Sequence, residues 1–169
     1  MRLDLDFALR PSPCPTSHAQ VAAIPLRWVD AKPEILLVTT RGKGRWTVPK
    51  GWPLTEAPNA ACAAREAFEE AGVTGYVAPY SLGVFQYEKK LGSAKNWFSA
   101  TGFVLQVETE HDNWPERNER KRAWFALDEA KALVENEDLA VLMDEAVQRS
   151  QQRRRRKAAP QEARALILQ

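Results

Sequence analysis

The chain has 169 residues, of which 44% are hydrophobic and 27% are charged, a composition typical of one soluble globular domain with a full core. No apolar run approaches the roughly 20 residues of a membrane helix, and the charged residues 1–6 lack the apolar centre of a signal peptide, so we expect a cytoplasmic protein. The net charge of +2 is unevenly distributed, because residues 153–157 are all Arg or Lys.

The order of the predicted elements indicates strands interleaved with helices, which is typical of a layered α/β fold. Residues 1–17 contain several prolines and predict an irregular lead-in, residues 18–150 predict the folded domain, and residues 151–169 predict a basic C-terminal tail. The predicted strands are 19–29, 34–40, 46–48, 77–89, 96–109 and 120–125. The predicted helices are the segment between Pro58 and Gly72, residues 129–134 after an Asp128 cap, and residues 138 to about 155.

The segment between Pro58 and Gly72 places three carboxylates on one side of a helix. At about 3.6 residues per turn, Glu66, Glu69 and Glu70 lie within about a third of the helix circumference, and small residues form the opposite stripe. These like charges repel one another. A hard divalent cation such as Mg²⁺ would remove that repulsion, because it takes oxygen ligands and bridges carboxylates to phosphates. The alternative, from these three residues alone, is an ordinary solvated acidic helix face.

The surrounding residues resemble the Nudix box, in which Gly is followed by five residues, Glu, seven residues, Arg-Glu, an aliphatic residue, any residue, Glu-Glu, any residue, Gly and an aliphatic residue. The residues in register are Gly51, Arg65, Glu66, Glu69, Glu70, Gly72 and Val73. The chain departs from the pattern at Ala67, where a larger aliphatic residue is usual, and at Ala57, where the family has its first Glu.

Two flanking segments, residues 45–51 and 120–125, resemble the diphosphoinositol polyphosphate phosphohydrolase branch of the Nudix family. The whole resemblance covers about residues 18–135. It implies the Nudix fold, a mixed β-sheet sandwiched between helices.

The resemblance also implies a metal site on the helix. Glu66 and Glu70 would be direct Mg²⁺ ligands, with the backbone carbonyl of Lys50 or Gly51 completing the set, and Mn²⁺ could substitute for Mg²⁺. Glu69 would be a further ligand or the general base that deprotonates the attacking water.

Two further acidic positions follow from the family pattern. Members of the family also use an acidic residue outside the box, for which Glu119 is the first candidate and Glu116 the second; surface charge in a loop is the alternative for both. Inside the box, the first Glu of the family usually pairs with the box Arg and braces the loop. Because Ala57 stands at that position, we expect Glu56 to pair with Arg65 instead.

Basic residues on both sides of the box predict phosphate binding. Arg41 and Arg120 match phosphate-binding positions of the branch, and Lys89 and Lys90 match a third basic patch. The predicted substrate-binding residues are Arg41, Arg45, Lys50, Lys89, Lys90 and Arg120. Residues 18–20, His-Ala-Gln, stand where the inositol enzymes have a basic cluster, which disfavours a highly phosphorylated inositol.

Together these features predict a Mg²⁺-dependent Nudix pyrophosphohydrolase that cleaves a phosphoanhydride bond with metal-activated water. The preferred substrates are dinucleoside polyphosphates, diphosphoinositol polyphosphates or related nucleoside diphosphate derivatives. The alternatives are an RNA 5′-end pyrophosphohydrolase that grips RNA with the basic tail, and a non-catalytic nucleotide-binding Nudix module. The tail is also typical of a solvated helix end. Trp46 and Trp124 could stack on a base, but packing in the core is the preferred interpretation. We expect a phosphorylated small molecule as partner and no membrane; the oligomeric state stays open.

Overall fold

A strand of 17 residues organises the sheet of this protein by pairing along both of its edges. The computed structural model describes residues 19–159. Its strands are β1 (Ala19–Val29), β2 (Lys32–Thr39), β3 (Trp46–Thr47), β4 (Lys50–Gly51), β5 (Val73–Val77), β6 (Gly83–Leu91), β7 (Ala94–Glu110) and β8 (Arg122–Ala126), and its helices are α1 (Asn59–Ala71), α2 (Leu127–Leu133) and α3 (Glu137–Ala158).

The eight-stranded sheet is mixed, as the family resemblance implied. The long strand β7 pairs in parallel with β1 on one edge, and antiparallel with β6 and then β5 on the other. Beyond β1 lies β2, which pairs antiparallel with β1, β3 and β8. The short strand β4 pairs with the beginning of β1, which brings the segment before α1 to the middle of the sheet.

Helices cover both faces of the sheet because the side chains of its central strands alternate between two apolar cores. On β1, Val21 and Ala23 pack with α1, whereas Ala22, Ile24 and Leu26 pack with α2 and α3. The face of α1 toward the sheet is mostly alanine, so the helix axis can approach the strands closely. The predicted fold class, a mixed sheet between helices, is confirmed.

The strand predicted at residues 77–89 is wrong, because the structure has two strands there, β5 and β6. Pro79 lies between them and has no N–H for a ladder hydrogen bond. The segment still follows β7, since the N–H groups of Ala78 and Leu82 donate to carbonyl oxygens of that strand at 2.9 and 2.8 Å. The sequence-based prediction therefore joined β6 to residues 77–82 before it and missed most of β5.

The helix ends also differ in part from the prediction. Gly72 ends α1 in the left-handed conformation with φ 63°, as predicted. Asp128 does not cap α2, because that helix begins one residue earlier, at Leu127 after Ala126. The cap of α3 is Asn136, whose side chain accepts a hydrogen bond from the N–H of Leu139 at 2.9 Å.

The last helix passes through the predicted boundary at residue 150, so residues 151–158 are helical. The predicted lead-in at residues 1–17, His18 and the tail from residue 160 onward lie outside the described residues. Within residues 19–159, none of the helices combines the length and the apolar character needed to cross a membrane.

Candidate active site

Two of the three α1 glutamates are buried where the helix passes over β4. Glu66 and Glu70 are 8% and 5% exposed, whereas the Glu69 side chain is 36% exposed at the margin. The close approach requires Gly51, because a Cβ atom there would lie 2.2 Å from Glu66 Oε2. The backbone N–H of Lys50 donates to Glu70 Oε2 at 3.2 Å. The fold therefore brings the three helix glutamates together with the backbone of β4.

Burial changes the protonation chemistry of these carboxylates. Loss of solvation raises the pKa of Glu70 to about 7, although Arg120 and Lys50 act in the opposite direction. Loss of solvation also raises the pKa of Glu66, against the effect of Arg65. Poorly solvated carboxylates of this kind are good ligands for a hard cation, because the ion replaces the water that they have lost.

Arg120 contacts this cluster from another part of the chain. Its side chain is 9% exposed, and its guanidinium donates to Glu70 and to Glu116 at 2.5 Å each. It also donates to the carbonyl oxygen of Thr39 at 3.0 Å. Buried carboxylates require such a partner to offset their lost hydration. The residue predicted as a phosphate ligand is thus shared between two carboxylates.

Of the two acidic candidates outside the box, Glu116 is the one that joins the cluster. Glu116 lines the cleft, accepts hydrogen bonds from Arg120 and from Arg41, the latter at 2.9 Å, and donates its N–H to the carbonyl oxygen of Glu69 at 3.0 Å. Glu119 pairs with Arg41 at 3.2 Å, has a side chain 49% exposed, and is not part of the cleft lining. The geometry favours Glu116, the reverse of the order expected from the sequence.

The box arginine braces the loop before α1 through contacts that were not expected. Arg65 donates to the carbonyl oxygen of Trp52 at 3.2 Å and to Glu66 at 2.7 Å, and lies 3.7 Å from Glu69. Glu56 is exposed, and in the described part of the chain it forms no ion pair with Arg65, so the expected pair is wrong. Glu56, one residue before the position of the family's first box Glu, is exposed to solvent. Arg65 Nε is buried and has no hydrogen-bond partner within residues 19–159.

A cleft of about 1930 Å³ opens in front of the glutamates. All six predicted substrate-binding residues line it, namely Arg41, Arg45, Lys50, Lys89, Lys90 and Arg120. Arg45, Lys89 and Lys90 are exposed at its rim. Lys50 lies deeper, with its ammonium 5.0 Å from the centre of the Tyr87 ring, and burial lowers its pKa to about 8. The lining thus combines the buried glutamates with a basic rim of Arg45, Lys89 and Lys90, an arrangement suited to a polyanion bound through a cation, and it also contains the exposed Glu88, Glu135 and Glu137.

Trp46 and Trp124, which the sequence singled out, both pack against other side chains; Trp124 lies outside the cleft lining, whereas Trp46 also lines the cleft. Trp46 meets Phe125 edge to face with ring centroids 5.0 Å apart. The guanidinium of Arg27 lies 4.1 Å from the ring centroid of Trp124, and the indole N–H of Trp124 donates to Glu110 at 3.0 Å. Both rings pack against the apolar cores of the sheet.

An aromatic series beside the glutamates was not predicted; it consists of Tyr87, Phe98 and Trp52. Tyr87 stacks on Phe98 with centroids 5.6 Å apart and planes 24° apart, and Phe98 contacts Trp52 at 6.1 Å and 57°. The Tyr87 hydroxyl donates to the side chain of Gln20. The alternation of Phe85 and Tyr87 along β6 could have indicated one aromatic face. Only the strand register, which pairs Tyr87 with Phe98, brings these two rings together.

The donor set fits a hard divalent cation. Within residues 19–159, no three acidic, His or Cys side chains already form a metal-sized cage. Glu66, Glu69, Glu70 and Glu116 nevertheless supply carboxylate oxygens to the same cleft, which Lys50 and Gly51 of β4 also line, and oxygen atoms are the ligands that Mg²⁺ takes. Arg120 provides the balancing positive charge in the structure.

Sequence comparisons place this geometry among known proteins. Residues 17–146 match the family model for the NUDIX domain. The chain is 39% identical over 104 residues to Nudix hydrolase 4 of Arabidopsis thaliana, a match that covers 61% of this chain and 48% of that protein. It is 35% identical over 100 residues to diphosphoinositol polyphosphate phosphohydrolase 3-alpha of Mus musculus, covering 57% of each. The chain spans about half the length of these curated relatives.

Solved structures share the fold at low sequence identity. The Nudix domain of Shewanella oneidensis NrtR, crystallised with ADP-ribose, superposes with a TM-score of 0.58 at 15% identity, covering 83% of this chain and 93% of that one. An Ap4A hydrolase of C. elegans superposes with a TM-score of 0.53 at 18% identity, covering 77% and 96%.

Proposed function

Since the chain belongs to the Nudix family, we propose that it is a Mg²⁺-dependent hydrolase of a phosphoanhydride bond in a nucleoside-linked or polyphosphorylated small molecule. The observation that carries the proposal is the burial of Glu66 and Glu70 against Gly51, at the base of a cleft with a basic rim. Nudix hydrolases generally use divalent metal ions, and the curated relatives are named as hydrolases.

The α1 glutamates have distinct tasks in this proposal. Glu66 and Glu70 would hold Mg²⁺ or Mn²⁺, together with the carbonyl oxygen of Lys50 or Gly51. When bound, the ion would neutralise charge on the pyrophosphate and lower the pKa of a water. Glu69 is the more exposed carboxylate, and it acts as a further ligand or accepts the proton of the attacking water.

The residues outside the box position this machinery. Arg120 holds Glu70 and Glu116 in fixed orientations, and Arg41 holds Glu116 from the other side. Glu116 is therefore our candidate for the acidic group outside the box. Lys50, Lys89 and Lys90 supply positive charge for phosphate oxygens along the same cleft.

Among substrates, we favour dinucleoside polyphosphates and diphosphoinositol polyphosphates over nucleoside triphosphates and nucleotide sugars. The basic rim of the cleft supports polyanionic substrates in general. The fold shared with an Ap4A hydrolase and the sequence similarity to a diphosphoinositol polyphosphate phosphohydrolase are each consistent with one of the two favoured classes.

A substrate panel tests the proposal. Dinucleoside polyphosphates, a diphosphoinositol polyphosphate, ADP-ribose and nucleoside triphosphates are incubated with the protein and Mg²⁺, and the products are separated by ion-exchange chromatography. We expect cleavage of at least one phosphoanhydride, abolished by chelation of the metal. Failure to cleave any member of the panel with either Mg²⁺ or Mn²⁺ would refute hydrolysis of these small molecules and leave RNA 5′-end hydrolysis and the non-catalytic binding module.

Hydrolysis of RNA 5′ ends is the second candidate, supported by the basic end of α3. Part of that run has a packing role, because Arg153 lies 3.5 Å from the centroid of the Tyr76 ring and Arg154 lies 4.9 Å from that of Trp28. A truncation at residue 150 would also remove Ser150, which accepts a hydrogen bond from Trp28 at 2.9 Å. The sharper test is a triple change of residues 155–157 to Ala, which should abolish RNA affinity and leave small-substrate turnover intact if the run grips RNA.

A further inference from the structure

We infer that the aromatic series beside the glutamates is a stacking site for a nucleobase, with the half-exposed indole of Trp52 at its mouth. The inference rests on the proposed function and narrows its substrate to nucleosides that carry phosphates. Phosphorylated cyclitols, which have no aromatic face, would gain nothing from this site.

The position of Trp52 links it directly to the acidic cluster. It follows Gly51, the residue that lies against the Glu66 carboxylate. Arg65 donates one hydrogen bond to the carbonyl oxygen of Trp52 and another to Glu66, so a single guanidinium fixes both. The backbone that carries the indole is therefore held in place relative to the carboxylates that would bind the metal.

The indole combines exposure with support from behind. Trp52 is 49% exposed and lines the cleft, although it is one of the largest apolar side chains. Phe98 packs behind it, and Tyr87 stacks on Phe98, so the ring forms the outer end of a supported aromatic wall. A flat ligand that covers this ring removes apolar surface from water and adds stacking contacts.

Positive charge runs along the same wall. The ammonium of Lys50 lies 5.0 Å from the centre of the Tyr87 ring, and that of Lys89 lies 5.9 Å from the centre of the Phe98 ring. A nucleoside polyphosphate joins a π-face to a chain of negative charges in one molecule. The wall offers a complement to each part, and this combination of aromatic rings and cations is the one by which proteins bind bases without reading their identity.

The test compares the binding of two probes in the presence of Mg²⁺; both contain a diphosphonate group, and only one carries an adenosine on it. These are α,β-methylene-ADP and methylenediphosphonate, both with a bridge that cannot be hydrolysed, and binding is measured by calorimetry. The variants are Trp52→Ala and Trp52→Phe, with Tyr80→Ala as the control because Tyr80 is 78% exposed and lies outside the cleft lining.

We expect α,β-methylene-ADP to bind wild-type protein at least about tenfold more tightly than methylenediphosphonate does. Trp52→Ala should lower the affinity for α,β-methylene-ADP by about 5- to 100-fold and the affinity for methylenediphosphonate by less than about twofold. Trp52→Phe keeps an aromatic face and should retain most of the affinity, while Tyr80→Ala should change neither probe.

Equal affinity of wild type for the two probes overturns the inference, and so does an equal loss for both probes in Trp52→Ala with normal binding in Trp52→Phe. The proposed function fails separately. Binding of adenosine that depends on Trp52, without cleavage of any anhydride, would refute the enzymatic activity and keep the stacking site. Cleavage of a diphosphoinositol polyphosphate, with equal affinity for the two probes, would keep the enzymatic activity and refute the stacking site.

Discussion

At the residue scale, the acidic cluster depends on a balance between buried charges. The Glu70 and Arg120 side chains are 7% and 9% exposed and are in direct contact, while Glu116 shares the same guanidinium. Burial of a carboxylate this deep is unfavourable unless it has a charged partner. The pair keeps Glu70 oriented toward β4, where the N–H of Lys50 also contacts it. Changes to either partner should therefore affect stability and catalysis to different extents.

The first prediction at this scale concerns the charge of Glu70. Glu70→Gln keeps the size of the side chain but removes the charge that holds a hard cation, so the turnover number should fall by at least about 100-fold. Steady-state kinetics with saturating Mg²⁺ measures the effect. The control is Glu129→Gln, an exposed residue of α2 outside the cleft lining, which should behave as wild type. Near-normal turnover of Glu70→Gln would rule out the proposed metal site.

A second prediction concerns the coupling of Arg120 with Glu70. Arg120→Met leaves buried carboxylates without their partner and should lower the free energy of unfolding by about 3 kcal/mol. In a Glu70→Gln background the same change should cost about 1–2 kcal/mol less, because one of the two carboxylates has lost its charge. Urea unfolding of the four proteins of this cycle measures the coupling. Strict additivity would mean that the contact contributes nothing to stability.

At the element scale, the contact between β4 and α1 and the loop that joins them determine where the carboxylates lie. Gly51 allows the Glu66 carboxylate to rest against the strand, and Gly72 ends the helix in a left-handed conformation. Arg65 ties the loop to the helix through the Trp52 carbonyl oxygen. The same elements therefore position the acidic cluster and one wall of the cleft.

Gly51→Ala tests this contact. The added methyl group would lie 2.2 Å from Glu66 Oε2, the far end of a flexible side chain, so the carboxylate should move while the backbone stays in place. We expect a small change in melting temperature but a loss of Mg²⁺ affinity of roughly 10- to 100-fold, as for other groups that orient metal ligands. Calorimetric titration with Mg²⁺ measures it, and unchanged affinity would show that Glu66 does not need its present position.

The loop offers another prediction, Ala57→Glu, which restores the acidic residue of the family pattern. Arg65 Nε is buried without a hydrogen-bond partner in the described part of the chain, so a new carboxylate could reach it. We expect a gain of about 0–1 kcal/mol in the free energy of unfolding, measured by denaturant titration. Glu56→Ala should have no effect, because Glu56 does not pair with Arg65. Unfolding of Ala57→Glu would show that position 57 cannot turn outward.

At the scale of the whole molecule, the charges divide between two regions. The basic rim residues Arg45, Lys89 and Lys90 line the cleft that holds the acidic cluster, together with the exposed Glu135 and Glu137, whereas residues 153–157 lie at the far end of α3. At about 1.5 Å per residue, Arg153 lies roughly 20 Å along the helix axis from Leu139, which lines the cleft. A small substrate in the cleft therefore has no direct contact with the basic end of α3, and the rim alone would select for substrate charge.

The last prediction concerns that selection. The rim carries more positive charge than one pyrophosphate needs, so we expect higher kcat/KM for substrates with four or more phosphates than for nucleotide sugars. Lys89→Ala should raise KM for substrates with four or more phosphates about two- to fivefold, since exposed ion pairs are individually weak. The KM for nucleotide sugars should rise less. Lys32→Ala removes the same charge from an exposed position outside the cleft lining and should change neither. Faster cleavage of ADP-ribose or a nucleotide sugar by wild type would contradict this preference.

The sequence by itself determined those features that depend on neighbours along the chain. The spacing of Glu66, Glu69 and Glu70 was sufficient to place them on one side of a helix, because helical geometry is local. Gly72 marked the end of that helix for the same reason, since few other residues tolerate the left-handed conformation. These positions, together with Gly51 and Arg65, were also sufficient to predict the family and its mixed sheet.

Only the tertiary structure decided which distant side chains meet those glutamates. The contact between Arg120 and Glu70 joins residues 50 positions apart, and the choice of Glu116 over Glu119 depends on which of them faces the cleft. Tyr87 meets Phe98 through the pairing of β6 with β7, and Trp52 reaches Phe98 from the loop after β4. Such contacts are set by strand register and by helix packing across the sheet, and neither leaves a short-range pattern in the sequence.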